Sequence, residues 1–255
     1  MVLVAAAFAA HPPLIVPELA LGAAGELDGL RVACDLAVQR LLGARPDRVV
    51  VLGGGPSAAR WEESERGSFA GYGVGLTVSL GSDPGLGSRT GCPDSASSDA
   101  MPAGPPRLPL SVTVAGWLLG RAGHAGPRYA VTVPAAATDA ELAGWARSIV
   151  EDGGRLGLLV MGDGSARRSP TAPGYLDPRA AGFDAAAAGA LRDGDPARLR
   201  SVDPVLGAEL LAAGAPAWRL AGQVAAAAGA GRFAAELLYD AAPYGVGYLV
   251  AAWVA

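Results

Sequence analysis

The sequence predicts a single α/β domain over residues 1–255, with a largely parallel, mixed central sheet and helices on both of its faces. Apolar runs alternate with amphipathic helical segments along the chain, which is typical of parallel strands joined by helices. Two of the runs end in glycine turns, at 53–56 and 162–164. The 255 residues, 51% of them hydrophobic, suffice for one large core, and no repeat or linker divides them.

The first strand is predicted from the apolar run over residues 2–10, which stops at His11 and two prolines. This run is shorter than the roughly 20 residues that a membrane-spanning helix needs, and the prolines prevent a helix from continuing. His11 therefore follows the carboxyl end of a strand, where α/β proteins place their binding and catalytic groups. The alternative is a histidine that merely caps a turn.

The following segments complete a βαβ unit. Residues 26–42 carry apolar side chains on one helical face and stop at Gly43, which predicts a helix. Residues 48–52 are rich in β-branched side chains and predict a central parallel strand. Alternation over 67–80 indicates one or two further strands. Residues 81–109 are rich in glycine, serine and proline, and we interpret them as a lid, a binding loop or a mobile segment.

Helices and strands continue to alternate in the second half of the chain. Thr138 and Glu141 fit a capping box at the start of a helix, and the chain closes with a strand over 245–253. The same apolar patterns predict helices over 110–122, 183–191, 204–213 and 218–228, and strands over 129–134 and 156–161.

Composition excludes several classes of function. The net charge of −4, the pI near 5.2 and the scattered arginines leave no basic surface for nucleic acid. The two cysteines, Cys34 and Cys92, have neither a metal-binding spacing nor that of a disulfide framework. The N-terminus lacks the positive region of a signal peptide, so we expect a cytoplasmic protein with no membrane partner.

The glycine turns do not match the common nucleotide-binding and hydrolase motifs. No Gly-Lys-Ser/Thr follows 53–56, so this turn is not a phosphate-binding P-loop, and Ala58 stands where a dinucleotide fingerprint has its third glycine. Ser165 follows a strand but lacks the Gly-x-Ser-x-Gly surroundings of a nucleophile elbow. Nucleotide binding and serine hydrolysis are therefore not favoured.

Metal binding is limited by the two histidines, His11 and His124. A catalytic zinc or non-haem iron site usually has at least two, so a metal at His11 would need carboxylates. His124 lies at a glycine-flanked helix end, where we expect an exposed, partly charged imidazole. We interpret the acidic residues of 62–65 as a solvated loop. The carboxylates considered for a site at His11 are Glu236, Asp240 and Asp163.

Five stretches, taken in order along the chain, carry a resemblance to a known family. They are 8–17 with its His-Pro-Pro, 49–56, the Gly-Asp-Gly-Ser turn at 162–165, the helix of Phe183 and Asp184 with Gly-Asp at 194–195, and 242–248. Together they resemble the class III extradiol ring-cleavage dioxygenases, in particular the catalytic beta subunit of protocatechuate 4,5-dioxygenase. That fold is shared with the mediator-of-cell-motility proteins. The resemblance spans nearly the whole chain.

The resemblance implies a ferrous iron held by two histidines and a glutamate, with a further histidine as acid and base. His11 matches the first ligand, and Glu236 is matched to the glutamate. No histidine exists in 53–56, where the second ligand is expected, and Ala166 stands at the position of the catalytic histidine. We expect a site crevice formed by Gly54, Gly55, Asp163, Ser165 and Ala166, because parallel strands of an open α/β sheet gather their carboxyl ends along one edge.

Because the second ligand and the acid–base histidine are both missing, we expect a divergent member with a degraded metal site. It is then either non-catalytic or binds a different small molecule, and its cofactor is Fe(II) or none. One alternative is an active ring-opening dioxygenase whose iron is held by His11 and carboxylates. Another is a protein-interaction module. The expected partners are a catechol-like small molecule and, in a homodimer, a second copy of the chain.

Overall fold

The computed structural model describes residues 1–81 and 107–255, so most of the predicted loop over 81–109 lies outside the described residues. Two sheets are present in the described part of the chain, one of seven strands and one of two. The strands are β1 (Val2–Ala9), β2 (Arg48–Gly54), β3 (Ala59–Trp61), β4 (Arg66–Ser68), β5 (Thr77–Ser79), β6 (Arg128–Val133), β7 (Arg155–Met161), β8 (Ala234–Ala241) and β9 (Tyr248–Val254).

The large sheet has the order β3-β6-β2-β7-β1-β9-β8. Its four central strands, β6, β2, β7 and β1, pair in parallel. The strands at the two ends of the sheet, β3 on one side and β9 and β8 on the other, pair antiparallel. The prediction of a largely parallel, mixed sheet is therefore confirmed. The alternation predicted over 67–80 forms β5 and most of β4, which pair with each other outside the main sheet.

Helices cover both faces of the sheet, as predicted. They are α1 (Pro17–Ala20), α2 (Asp28–Gly43), α3 (Leu110–Arg121), α4 (Asp139–Glu151), α5 (Ala180–Arg192), α6 (Pro196–Arg200), α7 (Pro204–Glu209) and α8 (Ala215–Ala227). Val49 and Val51 of β2 face a core with α2 and α3, whereas Val50 and Leu52 face a second core with α4, α5, α6 and α8. These two cores enclose the sheet in one α/β domain.

One helix start is confirmed, one helix ends earlier than predicted, and one short helix was not predicted. The capping box of Thr138 and Glu141 begins α4 as predicted. The helix predicted over 204–213 ends at Glu209, because Leu211 takes a left-handed backbone with φ of 55° that ends helical hydrogen bonding. No sequence pattern predicts α6, because its 5 residues are too few for a periodic apolar face.

The lengths and the hydropathy of the helices bear on membrane insertion. None of the helices within 1–81 and 107–255 is both long and apolar enough to cross a bilayer.

Candidate functional site

The carboxyl ends of β1 and β7 lie side by side in the middle of the sheet. Ala9 pairs with Met161, and the backbone N–H of Gly162 donates to the carbonyl of Ala9. From here β1 leads to α2 on one face, whereas β7 leads to α5 on the other. Open α/β sheets bind their ligands where neighbouring connections part in this way.

His11 and Asp163 meet at this point. The backbone N–H of His11 donates to Asp163 Oδ1 at 2.8 Å, and the imidazole Nδ1 lies 3.5 Å from the same oxygen. Nδ1 is buried and makes no hydrogen bond. Since Nδ1 faces Asp163, ring geometry places Nε2 on the far side of the imidazole, away from the carboxylate. The predicted pair of His11 and Asp163 is thus brought together.

The surroundings of the pair disfavour charge. Burial raises the pKa of Asp163, while the neighbouring His11 acts in the opposite direction. Burial also raises the pKa of the Cys34 thiol to about 12, and the charges of Asp35 and Asp163 add to the rise. Burial, followed by the charge of Asp163, raises the pKa of Tyr248. Neither Cys34 nor Tyr248 was predicted near His11, because α2 and β9 bring them there from distant parts of the chain.

The turn after β7 is built around the buried carboxylate of Asp184. Its Oδ1 accepts the backbone N–H of Ser165 at 2.8 Å, and its Oδ2 accepts from Arg168 Nη1 at 2.8 Å. Ser165 is fully buried, and its hydroxyl donates to the carbonyl of Leu210. Ser165, predicted as part of the crevice, therefore fixes the turn instead of facing a ligand.

Two glycines make room for the Asp184 carboxylate. A Cβ on Gly164 would lie 2.6 Å from Asp184 Oδ1, and one on Gly247 would lie 2.2 Å from Oδ2. Real Cβ atoms do not approach oxygen this closely, so both positions require glycine while the carboxylate is in place. The Gly-Asp-Gly-Ser turn at 162–165 thus has a fixed backbone, which positions Asp163.

The turn after β2 is where the resemblance implies a second histidine ligand, and it leaves little room for any side chain. The Ser111 hydroxyl donates to the carbonyl of Gly54 at 2.8 Å. A Cβ on Gly54 would lie 3.0 Å from the carbonyl oxygen of Ala213, and one on Gly55 would lie 2.9 Å from Thr132 Cβ. Any side chain at Gly54 or Gly55 would therefore displace its neighbours.

The position matched to the catalytic histidine carries a methyl group. Ala166 is partly exposed, its N–H donates to the carbonyl of Leu210, and its carbonyl accepts from Gly174. These backbone bonds hold the segment next to Asp163, but the side chain has no group that transfers a proton.

Glu236 lies apart from His11. It sits in the middle of β8 opposite Ala252, which in turn pairs with Ala7 of β1. Two strand spacings and four residues of rise separate the Glu236 and His11 backbones by roughly 15 Å. The Glu236 carboxylate instead accepts from Arg40 Nη1 at 2.6 Å. The other carboxylate considered, that of Asp240, lies 3.8 Å from Arg192 Nη2.

The donor set at His11 does not fit the iron triad that the resemblance implies. Across the described residues, no group of three His, Cys, Asp or Glu side chains is close enough to hold one metal ion. His11 contributes an imidazole and Asp163 one carboxylate whose Oδ1 already accepts a backbone N–H. A facial triad needs a further ligand, and Glu236 is engaged elsewhere.

His124 corrects one expectation from the sequence. The residue is half-buried, its Nε2 is buried without a hydrogen bond, and its carbonyl accepts from Arg128 Nη2. Burial and the positive charge of Arg128 lower the pKa of His124. The expectation of an exposed, partly charged imidazole is therefore wrong, because the residues that follow, Gly126 and Arg128, pack against His124.

The lowered pKa of His124 predicts a loss of stability in mild acid. The unfolded chain takes up the proton near the ordinary pKa of 6.5, whereas the folded chain resists it. The free energy of unfolding is therefore unaffected by His124 above about pH 6.5, and it decreases as the pH drops toward the pKa of His124 in the folded chain. We expect His124→Asn to unfold in urea with a smaller decline between about pH 7.5 and about pH 5.5 than the wild type. Equal declines in the two proteins would contradict this.

Comparisons with known proteins do not name a function. No protein-family model matches the chain. No curated protein matches it either. Among solved structures, it is similar to the crystal structure of an uncharacterized protein from Escherichia coli K12. The two are 16% identical over 99% of this chain and 100% of the other, with a TM-score of 0.49. The site is therefore interpreted from its own geometry.

Proposed function

We propose that the protein binds a small catechol-like molecule beside His11 without cleaving its ring, as a divergent class III extradiol dioxygenase-like protein with a degraded metal site. The observation that carries the proposal is the pair of His11 and Asp163 at the carboxyl edge of the sheet. Asp163 lies on the Nδ1 side of the imidazole, so Nε2 on the opposite side is the atom that can meet a ligand.

The residues around His11 suit a phenolic ligand. The imidazole exchanges a hydrogen bond with a phenol hydroxyl through Nε2, while Asp163 on the Nδ1 side orients the ring. Gly54 and Gly55 are partly exposed at the carboxyl end of β2, which lies along the same edge of the sheet as His11. Cys34 and Tyr248 are buried beside Asp163, so the surroundings of the pair are poor in water.

The same residues argue against ring cleavage. One imidazole and one already engaged carboxylate bind Fe(II) weakly compared with a facial triad. Ala166 offers no acid or base for the proton transfers that ring opening needs. We also place the protein in the cytoplasm, which agrees with the buried free thiol of Cys34. A homodimer stays a prediction.

Binding and turnover are tested on protein purified without oxygen. We expect substoichiometric iron, no oxygen uptake with a panel of catechols, and calorimetric binding of at least one of them. His11→Ala should weaken that binding about tenfold, the loss expected for one hydrogen bond to a charged or strongly polar group. The matched control is His124→Asn, which changes the other histidine and should bind as the wild type does.

Three other outcomes would contradict the proposed function. Stoichiometric iron with catechol consumption that disappears in His11→Ala would overturn the proposal in favour of an active dioxygenase. Failure of every catechol to bind would refute the ligand class. A protein partner captured equally by wild type and His11→Ala, with no catechol bound, would favour an interaction module.

A further inference from the structure

A cavity lies at the amino ends of the strands, on the side of the sheet opposite to His11. It has a volume of about 450 Å³ and is lined by the side chains of Arg48, Arg60, Tyr129 and Asp152, among others. Arg48 is the first residue of β2, and Tyr129 is the second residue of β6. Both strands run in parallel with β1, so this cavity opens at their amino ends, whereas His11 follows a carboxyl end.

Two guanidinium groups in the cavity share one carboxylate. Arg48 Nη1 lies 3.2 Å and Arg60 Nη1 lies 3.5 Å from the same oxygen, Asp152 Oδ2. Both distances are longer than the ~2.7–2.9 Å that is typical of a charge-assisted hydrogen bond. Within the described residues, Asp152 is the one ion-pair partner of Arg48. Most of the five N–H donors of Arg48 therefore remain available to a ligand.

Arg60 is held in place from three sides. Its Nε donates to Glu62 Oε1 at 2.7 Å, its Nη1 reaches Asp152, and its Cζ lies 3.7 Å from the centroid of the Tyr129 ring. A planar guanidinium fixed in this way loses little freedom when it binds an anion.

The Tyr129 hydroxyl is a buried donor without a partner. Tyr129 is 2% exposed, and its hydroxyl makes no hydrogen bond in the described part of the chain. Burial, followed by the interaction of the hydroxyl with the Asp152 side chain, raises the pKa of Tyr129, so the phenol stays protonated. The Asp152 carboxylate thus lies close to the hydroxyl, while its Oδ2 also faces the two arginines. An unpartnered buried donor beside two guanidiniums is a feature of an oxyanion site.

Three carboxylates line the cavity beside its arginines, and that of Asp152 is shared by two of the arginines. Glu62 and Glu63 are exposed, and water and salt screen exposed charges. One oxygen of Glu62 accepts from Arg60, and one of Glu63 accepts the backbone N–H of Arg128. The acidic stretch over 62–65 is thus partly structural, in addition to being the solvated loop that the sequence suggests.

We propose that the cavity of Arg48, Arg60 and Tyr129 is a second ligand site, which binds a small oxyanion of the phosphate or carboxylate class. The two guanidiniums supply charge-assisted hydrogen bonds, and the Tyr129 hydroxyl donates a third. The site is separate from the proposed catechol site and does not depend on it.

Thermal unfolding in inorganic phosphate tests the site, with sodium chloride at equal ionic strength as the reference and acetate as a second arm. A ligand that binds only the folded chain raises the Tm. We expect phosphate, acetate or both to raise the Tm above the chloride value, and the arm with the larger rise identifies the anion class. Arg48→Gln should weaken the affinity about tenfold or more. No rise above chloride in either arm would overturn the proposal.

The matched control is Arg121→Gln. Arg121 also pairs with a carboxylate, Asp35, and lies over an aromatic ring, Trp117, at 4.9 Å, but it does not line this cavity. This variant should keep the full anion-dependent rise. A rise that persists unchanged in Arg48→Gln, or that is lost in Arg121→Gln, would contradict a specific site.

Tyr129→Phe decides the matter if Arg48→Gln does not fold. It keeps the ring under Arg60 and the ion pairs of Asp152, and removes only the hydroxyl. We expect an unchanged or higher Tm in chloride, because no hydrogen bond is lost, together with a smaller rise in the anion. A marked drop of the Tm in chloride would show that the hydroxyl serves the fold alone and would overturn its role in binding.

Discussion

Asp184→Ala is expected to lower the free energy of unfolding by about 3 kcal/mol. The Asp184 carboxylate is buried and accepts from both the Ser165 N–H and Arg168. Burial raises the pKa of Asp184, so the ion pair by itself adds little net stability. Removal of the carboxylate is nevertheless costly, because the Ser165 N–H is left buried without an acceptor. Urea unfolding of the variant measures the loss.

Two variants separate the parts of this effect. Asp184→Asn keeps an acceptor for the Ser165 N–H but loses the ion pair with Arg168, so its loss should be smaller than that of alanine. Asp193→Ala removes an exposed carboxylate at the end of the same helix, which pairs with Arg198, and should cost less than about 1 kcal/mol. Equal losses for Asp184→Ala and Asp193→Ala would contradict the role of the buried carboxylate.

Trp218→Ala should have the largest effect on stability, a loss of about 3–5 kcal/mol. The indole is 1% exposed and belongs to the core between the sheet and α8. It packs so closely that a Cβ on Gly162 would lie 2.8 Å from Trp218 Nε1, and one on Gly214 would lie 2.5 Å from Cζ2. Truncation leaves a cavity directly beside the turn that carries Asp163. The free energy of unfolding of a folded domain is about 5–15 kcal/mol, so the expected loss is a large fraction of it.

The control for Trp218 is Trp145→Ala on α4. Trp145 is half-buried and lies at the border of the same core, so its truncation removes less buried surface and should cost about 1–2 kcal/mol. Chemical denaturation of both variants provides the comparison. Trp218→Ala should also weaken catechol binding, since it loosens the backbone on which Asp163 depends. A Trp218→Ala protein as stable as Trp145→Ala would contradict the packing described for the turn.

Much of the fold was predictable because its signals are local. Continuous apolar runs predicted β2 and β7, and Thr138 with Glu141 predicted the start of α4, since strand and helix patterns depend on neighbouring residues. The early end of α7 was not predictable in this way. The left-handed backbone at Leu211 is imposed by surrounding contacts, while its side chain alone favours a helix.

The candidate site was predictable only in part. The position of His11 after β1 follows from the apolar run and the two prolines, and Asp163 follows β7 by the same reasoning. The distance between Glu236 and His11 was not predictable, because it depends on β9 lying between β8 and β1. Neither was the cavity at Arg48 and Tyr129, whose residues come from separate strands and a helix end.

By itself, the sequence determined that this protein is an α/β domain with one histidine at a strand end and one other histidine in the chain. The tertiary structure alone decided which groups meet. It brings His11 next to Asp163, which is 152 residues away in the sequence, and it pairs Glu236 with Arg40. The physical reason is that periodicity and turn chemistry act over a few residues, whereas strand order and side-chain pairing are settled by packing across the whole core.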